Sequence, residues 1–464
     1  MHTTSKYHVR NFTCILFITT TIIFGSFFLV CSQQDSGTSS GAADEISVFI
    51  AGDAIITQDW SHFEEPEFLQ LIDEIRVADV SIVNLEMLIN DFQGYPQKAS
   101  GGTWMSCKKE IADELVWAGF DMVGHANNHT FDFGSVGALE TWKHVQNAGM
   151  VIAGSGKDLQ TARAPGYFKS PQGTVALISN SSTYTDYGTA GRRRPDMQGR
   201  PGLNPLELRT ETTATITQAT AEKIQRLAEQ EGIPRVSVSR GRLNFMGQRF
   251  TIGENNEYST SRGLNPDDAE ANLASIREAE NNADIVVLSV HAHSQGEWLV
   301  EFCHQAVDAG ADIIFGHGPH RILGIEIYKG KPIFYSLGDF VFQNEQVDHL
   351  PSEYYEQYGL GDDAKPEDAH NIRYNNGTTG FPATRTAWEG IAATIDFKDG
   401  AVTDIRLFPV DMGFGKPVPI RGRPKYADSE LGKYIIEYTM EQSLRYNTEI
   451  EYVASDNIGR VVIK

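Results

Sequence analysis

From Glu45 onward two hydrophobic rhythms alternate along the chain. ISVFIAGD, VSIVNLE and FDMVGHANNH are short apolar runs, each breaking off into polar side chains, as buried strands do. Between them, PEFLQLIDEIRVA and KKEIADELVWAGF carry apolar residues about 3.6 positions apart, the period of an amphipathic helix. VGALETWKHVQNAG then predicts a helix and MVIAGSG a strand. The rhythm returns in a second block. TVALISNSS, ADIVVLSVHAH and ADIIFGHGPH predict strands, NPDDAEANLASIREAENN and EWLVEFCHQAVDAG helices, and IEIYKGKPIFYSLGD a hairpin-like pair. WEGIAATIDFKDGAVTDIRLFPV alternates with period two about an Asp-Gly, a hairpin signal. Strand and helix in alternation predict an α/β fold built in layers.

Two stretches interrupt this scaffold. Residues 183–265 hold Arg192, Arg193 and Arg194, Gly/Pro turns and one polar helical piece, TQATAEKIQRLAEQEG; residues 343–387 are rich in Tyr, Asn and Gly. Both follow strand ends, where lids and substrate-binding loops are usually found. Residues 45–426 therefore read as one domain with two insertions, completed by a C-terminal helix and strand in 427–464. Ahead of it lies a segment of another kind. Lys6 and Arg10 precede an uncharged apolar run from Cys14 to Val30, the layout of an export signal and close to the shortest membrane span. Three readings stay open for residues 1–31: an uncleaved membrane anchor, a lipoprotein signal with Cys31 acylated, or a secretion signal. Val30 departs from the small residue that a lipoprotein signal prefers before its cysteine. Residues 32–44 read as a flexible tether. Each reading leaves the folded part outside the cytoplasm, because the positive flank stays inside.

Cys107 and Cys303 either pair, as export allows, or are simply buried; there is no CxxC. Charge adds one exclusion. The 39 Lys+Arg against 61 Asp+Glu give a net charge of -22, the opposite of a nucleic-acid binder's basic footprint. An anionic ligand would need local help from a metal ion or clustered arginines.

The strand ends carry the chemistry. Gly52-Asp53, Asn84-Leu85-Glu86, Asn127-Asn128-His129, His291-Ala292-His293 and His317-Gly318-Pro319-His320 each follow an apolar run. Open α/β sheets bind ligands at the carboxyl ends of their strands. Each group alone has an ordinary explanation: a turn, a helix cap, a hydrogen-bonded core histidine. Five together predict a convergent polar site, and carboxylates, imidazoles and an amide form a ligand set for a divalent metal. Within GHANNHTFDFG, Asn128 can ligate a metal while His129 faces a reacting oxygen, with Asp132 holding the imidazole in one tautomer. The alternative is a local hydrogen-bonded turn.

Taken together, GD, NLE, ANNHTFDFG, SVHAH, GHGPHRILGIEIYKGKPIFYSLGDF and a late RGRP resemble the CapA family of capsule or poly-γ-glutamate synthesis proteins. That family is similar to the calcineurin-like metallophosphatases, which implies a four-layer α/β/β/α sandwich with a metal site. The resemblance implies Asp53, Glu86, Asn128, His291, His317 and His320 as metal ligands. It implies His129 as the catalytic imidazole, with Asp132 behind it, and one or two divalent ions (Mn, Zn, Fe or Mg). Three departures change the expectation. Ile55 stands where the superfamily has the histidine of Asp-x-His, the last motif is His-Gly-Pro-His rather than His-x-His, and Asp339 replaces an asparagine usual in YSLGNF. A single metal, or an altered pair, is therefore expected.

The resemblance further implies an exported, membrane-attached protein handling an anionic surface polymer or its precursor, beside a membrane synthase. Arg192, Arg193, Arg194, Arg421 and Arg423 are candidate clamps for carboxylate or phosphate, and His293 a further substrate contact. Two rival readings stand beside hydrolysis. One is a non-catalytic accessory that binds or tethers the polymer, which the missing histidine favours. The other is a phosphodiesterase or phosphatase, which a full pair of metals would favour.

Overall fold

Glu45–Ile55 runs through the middle of a ten-stranded mixed sheet. The computed structural model describes residues 45–463; the expected export segment and tether lie outside them. On one side Glu45–Ile55 pairs in parallel with Val80–Leu85, followed by Met122–Gly124 and Val151–Ala153. On the other it pairs antiparallel with Glu389–Lys398, followed by Ala401–Asp411 and the hairpin Ile450–Val453/Ile458–Val461. Asp339–Phe342 adds a short parallel strand alongside its last residues. Asp399 and Gly400 take φ of 52° and 77°, the left-handed pair that a two-residue type I′ turn requires. The Asp-Gly hairpin therefore forms where the alternation predicts it.

A second sheet has six strands in the order Ile325–Tyr328, Lys331–Phe334, Ile313–His317, Ile285–His291, Gly173–Ser181, Gly166–Ser170. Its four central strands are parallel and its two edge strands antiparallel. Side chains alternate faces along each strand. Val48 and Ile50 meet Val175, Leu177, Val287 and Phe315 of the other sheet. Phe49 and Ala51 point the opposite way, to Leu71 and Ile75 of helix Pro66–Val77 and Leu115 of helix Ile111–Ala118. On the far side Ala176, Val286 and Ile314 pack on Ile276 of helix Pro266–Glu280 and Phe302 of helix Glu297–Asp308. Each buried Val, Leu, Ile or Phe stabilises this stack by about 1.5–3 kcal/mol. The result is the four-layer α/β/β/α sandwich.

Residues 183–265 hold more than a loop. Leu208–Thr217, Ser237–Ser239, Arg242–Phe245, Gln248–Gly253 and Glu257–Leu264 form a five-stranded sheet. It packs with helix Gln218–Gln230 around Ile216, Ala221 and Leu243. Strands such as LRTETTATIT stay largely exposed, so no apolar rhythm announces them. In 343–387, helices Ser352–Glu356 and Pro366–Arg373 pack Tyr354 and Ala369 against Trp104. The C-terminal stretch is helix Ser429–Ser443 followed by a two-stranded hairpin, one strand more than expected. Cys107 and Cys303 are free and buried in different outer cores, which removes the pairing alternative. Among the described residues no helix is long and apolar enough to cross a membrane.

Candidate metal centre

Strand register brings the polar groups to one level. Asp53 lies in register with Asn84 on one neighbour and Asp339 on another, and His291 with His317 in the second sheet. Asp53, Asn84, Glu86, His291 and His317 are all fully buried. Ligand atoms of Asp53, His291 and His317 lie within 4.8 Å of one another. The same holds for Glu86, His291 and His293, and for Asp53, Glu86, His320 and Asp339. The ten-stranded sheet thus offers oxygen donors, Asp53, Glu86 and Asp339, with Asn128 at the next strand end. The six-stranded sheet offers nitrogen donors, His291, His293, His317 and His320.

Asp53 is tightly held. One oxygen accepts from Asn84 Nδ2 at 2.7 Å and the other from the Gly318 N–H at 2.8 Å. Gly318 has φ of 106°, and a Cβ there would sit 3.0–3.1 Å from the His293 and His291 rings; only glycine fits both demands. Burial would raise the Asp53 carboxyl, but the His317 hydrogen bond, then charge on the His317 and His320 imidazoles, hold it well below its ordinary range. Glu86 goes the other way: burial, then the Asp53 and Asp339 charges, push it well up. Burial pushes the His291 imidazole well down, leaving it neutral, the form that ligates metals. His320 Nδ1 lies 2.8 Å from Asp339 Oδ1. Burial opposes its charged form, yet Asp339 pushes it up to about 9.

Six buried atoms at this spot have no hydrogen-bond partner among the described residues: Asn84 Oδ1, both Glu86 oxygens, Asn128 Oδ1, His291 Nε2 and Asp339 Oδ2. Buried polar atoms are nearly always satisfied, and each orphan costs roughly 1–3 kcal/mol. Five are acceptor oxygens and the sixth is an imidazole nitrogen. Three crowded acidic side chains beside a neutral His291, with no lysine or arginine among them, fit a divalent ion.

GHANNHTFDFG divides its labour. Asn127 is a structural amide: Nδ2 donates to the Leu85 carbonyl at 2.7 Å, and Oδ1 accepts the His129 N–H at 3.1 Å. Asn128 makes a single long contact, Nδ2 to Gly101 O at 3.5 Å. His129 Nδ1 lies 2.7 Å from Asp132 Oδ2, which also accepts the Met105 N–H at 2.9 Å. A carboxylate only accepts, so Nδ1 carries the proton. Nε2 has no protein partner among the described residues.

Sequence reasoning singled out neither His125 nor a ligand role for Asp339. His125 is buried, with Nε2 3.1 Å from the Met87 carbonyl and Nδ1 2.8 Å from Ser155 Oγ. The carbonyl fixes Nε2 as the donor, so Nδ1 accepts. For Asp339 a signal existed, since Gly338-Asp339 repeats the Gly52-Asp53 dipeptide. His293 stands exposed at the rim.

The five predicted arginine clamps are placed elsewhere. No hydrogen bond, ion pair or ring contact joins any of them to the cluster. Arg193 pairs with Asp158 and Arg194 with Asp196, and Arg192 is exposed. Arg421 is buried against Glu345 and Trp388, and Arg423 against Glu65 and Phe63. Both guanidiniums are neutralised within the fold.

Layers and donors together define a four-layer α/β sandwich protein with a candidate metal centre at the strand ends. The profile described as "Bacterial capsule synthesis protein PGA_cap" matches residues 47–344, and the chain belongs to that family. Among curated relatives, uncharacterized protein y4sH of Sinorhizobium fredii is 28% identical, covering 91% of this chain and 94% of its own. Capsule biosynthesis protein CapA of Bacillus anthracis is 27% identical, covering 55% of this chain and 48% of its own. A solved structure described as a novel phosphatase of Mycoplasma pneumoniae is 12% identical, covering 80% of this chain and 94% of its own, with a TM-score of 0.36. That score is too low to carry an argument.

Proposed function

We propose that the chain is a metal-dependent hydrolase of the cell envelope, acting on an anionic surface polymer of the poly-γ-glutamate or capsule type, or on its precursor. The six orphaned atoms around Glu86, beside the His129–Asp132 pair, carry this reading. A divalent ion held by Asp53, Glu86, Asn128, His291, His317 and Asp339 would activate water and polarise a carbonyl or phosphoryl oxygen. The chain's own residues do the rest. Asp132 keeps one proton on Nδ1 of His129, so Nε2 is free to take a proton from the attacking water and then hand that proton to the leaving group. Burial of the carboxylates keeps bulk water away and strengthens each electrostatic contact. The polymer class rests on family membership. Attachment at the envelope rests on the charged flank and apolar run of residues 6–30.

The test is metal content. The full chain is purified without chelator, and metal per chain is compared between wild type and an Asn128→Ala/His291→Ala variant. One or two ions in the wild type, lost in the variant, would justify screening γ-glutamyl amides and phosphoesters. Metal-free protein in both, with both folded, sinks the hydrolase reading. One observation favours a second reading, a polymer-binding accessory without turnover: Ile55 is packed in the helix-side core at the position of a further ligand histidine.

A further inference from the structure

Beside the centre, on the side of His320, opens a cleft of about 470 Å³ whose walls include His320, Arg321, Arg373, Tyr374, Phe381 and Thr384. Ring contacts make one wall continuous: His320 to Phe381 at 5.1 Å, Phe381 to Tyr374 at 6.5 Å, and the Arg373 guanidinium 5.2 Å over the Tyr374 ring. Arg373 also adjoins the other side of the centre. A Cβ on Gly102 would come within 3.8 Å of Arg373 Nη2, and one on neighbouring Gly101 within 2.3 Å of Asn128 Nδ2. The Gly101-Gly102 backbone thus runs close to both the Asn128 amide and this arginine.

Arg373 differs from the other part-buried arginines near the site. Its Nη1 donates to two neutral oxygens, Thr103 Oγ1 at 2.8 Å and Tyr354 Oη at 3.0 Å. Among the described residues no carboxylate lies within ion-pair distance of it; Glu345, which feels its charge, is taken by Arg421. A half-buried guanidinium fixed by two hydroxyls and two aromatic rings, with no counter-ion, is preorganised for an oxyanion from outside.

We propose that Arg373 is the substrate anchor of this cleft, taking the free carboxylate that a γ-linked glutamate unit keeps beside its amide bond. The proposal rests on the polymer reading above and assigns its recognition to a residue outside the arginine pairs. Aromatic walls at Tyr374 and Phe381 would cover the methylenes of the unit, while Arg373 fixes its charged end.

The test uses the full chain in detergent, loaded with manganese, and calorimetric titration with two probes, a short γ-linked glutamate oligomer and inorganic phosphate. Arg373→Gln removes the charge. Thr384→Asp keeps Arg373 and sets a competing carboxylate into the cleft from an exposed position, so a folding defect in one variant leaves the other informative. The expected result is oligomer binding to wild type, weakened about 10- to 100-fold in both variants, as loss of charged hydrogen bonds implies, with metal content unchanged. A fully amidated oligomer is expected not to bind. Wild-type affinity for the oligomer in both variants overturns the anchor and leaves the polymer reading standing. Phosphate binding without oligomer binding overturns the carboxylate assignment together with the polymer reading, as does binding of neither probe.

Discussion

Replacing Asn127 and Asn128 by alanine, one at a time, sets two adjacent amides against each other. Asn127→Ala removes hydrogen bonds at 2.7 Å, 3.1 Å and, from Thr130 Oγ1, 3.3 Å. Each is worth about 1 kcal/mol net, and the Leu85 carbonyl and His129 amide are left buried without partners at about 1–3 kcal/mol each. A loss of about 3–5 kcal/mol is expected, with or without metal. Asn128→Ala removes one contact at the limit of hydrogen bonding and an oxygen that has no partner. In chelated protein its stability is expected to stay within about 1 kcal/mol of wild type. With metal present the gap narrows. At 100 times the dissociation constant, bound ion stabilises wild type by about 2.7 kcal/mol. A ligand loss that weakens binding about 100-fold leaves roughly 0.4 kcal/mol of that. Thermal unfolding with chelator and with manganese, on three proteins, reads all of this. Should Asn128→Ala keep the full metal shift, or fall as far as Asn127→Ala in chelator, the assignment of the two amides is wrong.

Three further outcomes are expected. Asp132→Asn should retain metal but lower any turnover by about 10²–10⁴-fold, the range of general acid–base catalysis; metal analysis beside a rate assay separates this from loss of the site. Gly101→Ala places a Cβ 2.3 Å from Asn128 Nδ2, so metal affinity should drop although no ligand is changed, as titration against a competing chelator would reveal. His125 is pushed down to about 4 by burial, against the Met87 hydrogen bond. Its folded value lies below the ordinary 6.5, so its stabilising contribution is complete above pH 6.5 and is lost as pH falls toward 4. It amounts to about 3 kcal/mol. In chelated protein, His125→Gln should therefore flatten the fall in melting temperature between pH 6.5 and 4, and an unchanged slope would contradict the burial argument.

Most of the scaffold could be read from the chain, because its central strands are buried on both faces and carry long apolar runs. Val80–Leu85 and Ile285–His291 are buried throughout, and their polar ends marked Glu86 and His291 in advance. What could not be read follows from weaker patterning. The strands of residues 208–264 are polar and exposed, so nothing set them apart from a loop. Arg373 sits in a Tyr- and Asn-rich stretch with no periodicity, and its role depends on neighbours 270 residues away in sequence, such as Thr103. Arg421 and Arg423 were expected to clamp a carboxylate or phosphate, yet each is buried against a carboxylate of the fold and an aromatic ring. Sequence spacing says nothing of such pairings. The partition of the strands into two sheets came from the family resemblance alone, since both blocks repeat the same rhythm.

The separation of donor types between the sheets has a consequence for assembly. Carboxylates come from one half of the sandwich and imidazoles from the other, and the contributing positions run from Asp53 to Asp339. A partly folded chain therefore offers a hard set or a borderline set of donors, never the mixed one. On the proposed metal reading, capture of an ion would wait until the halves have docked, and a captured ion would act as a clasp across the long chain segment between them. Occupancy would then report on the finished fold, and stripping the ion should loosen the seam between the sheets before it disturbs either sheet alone.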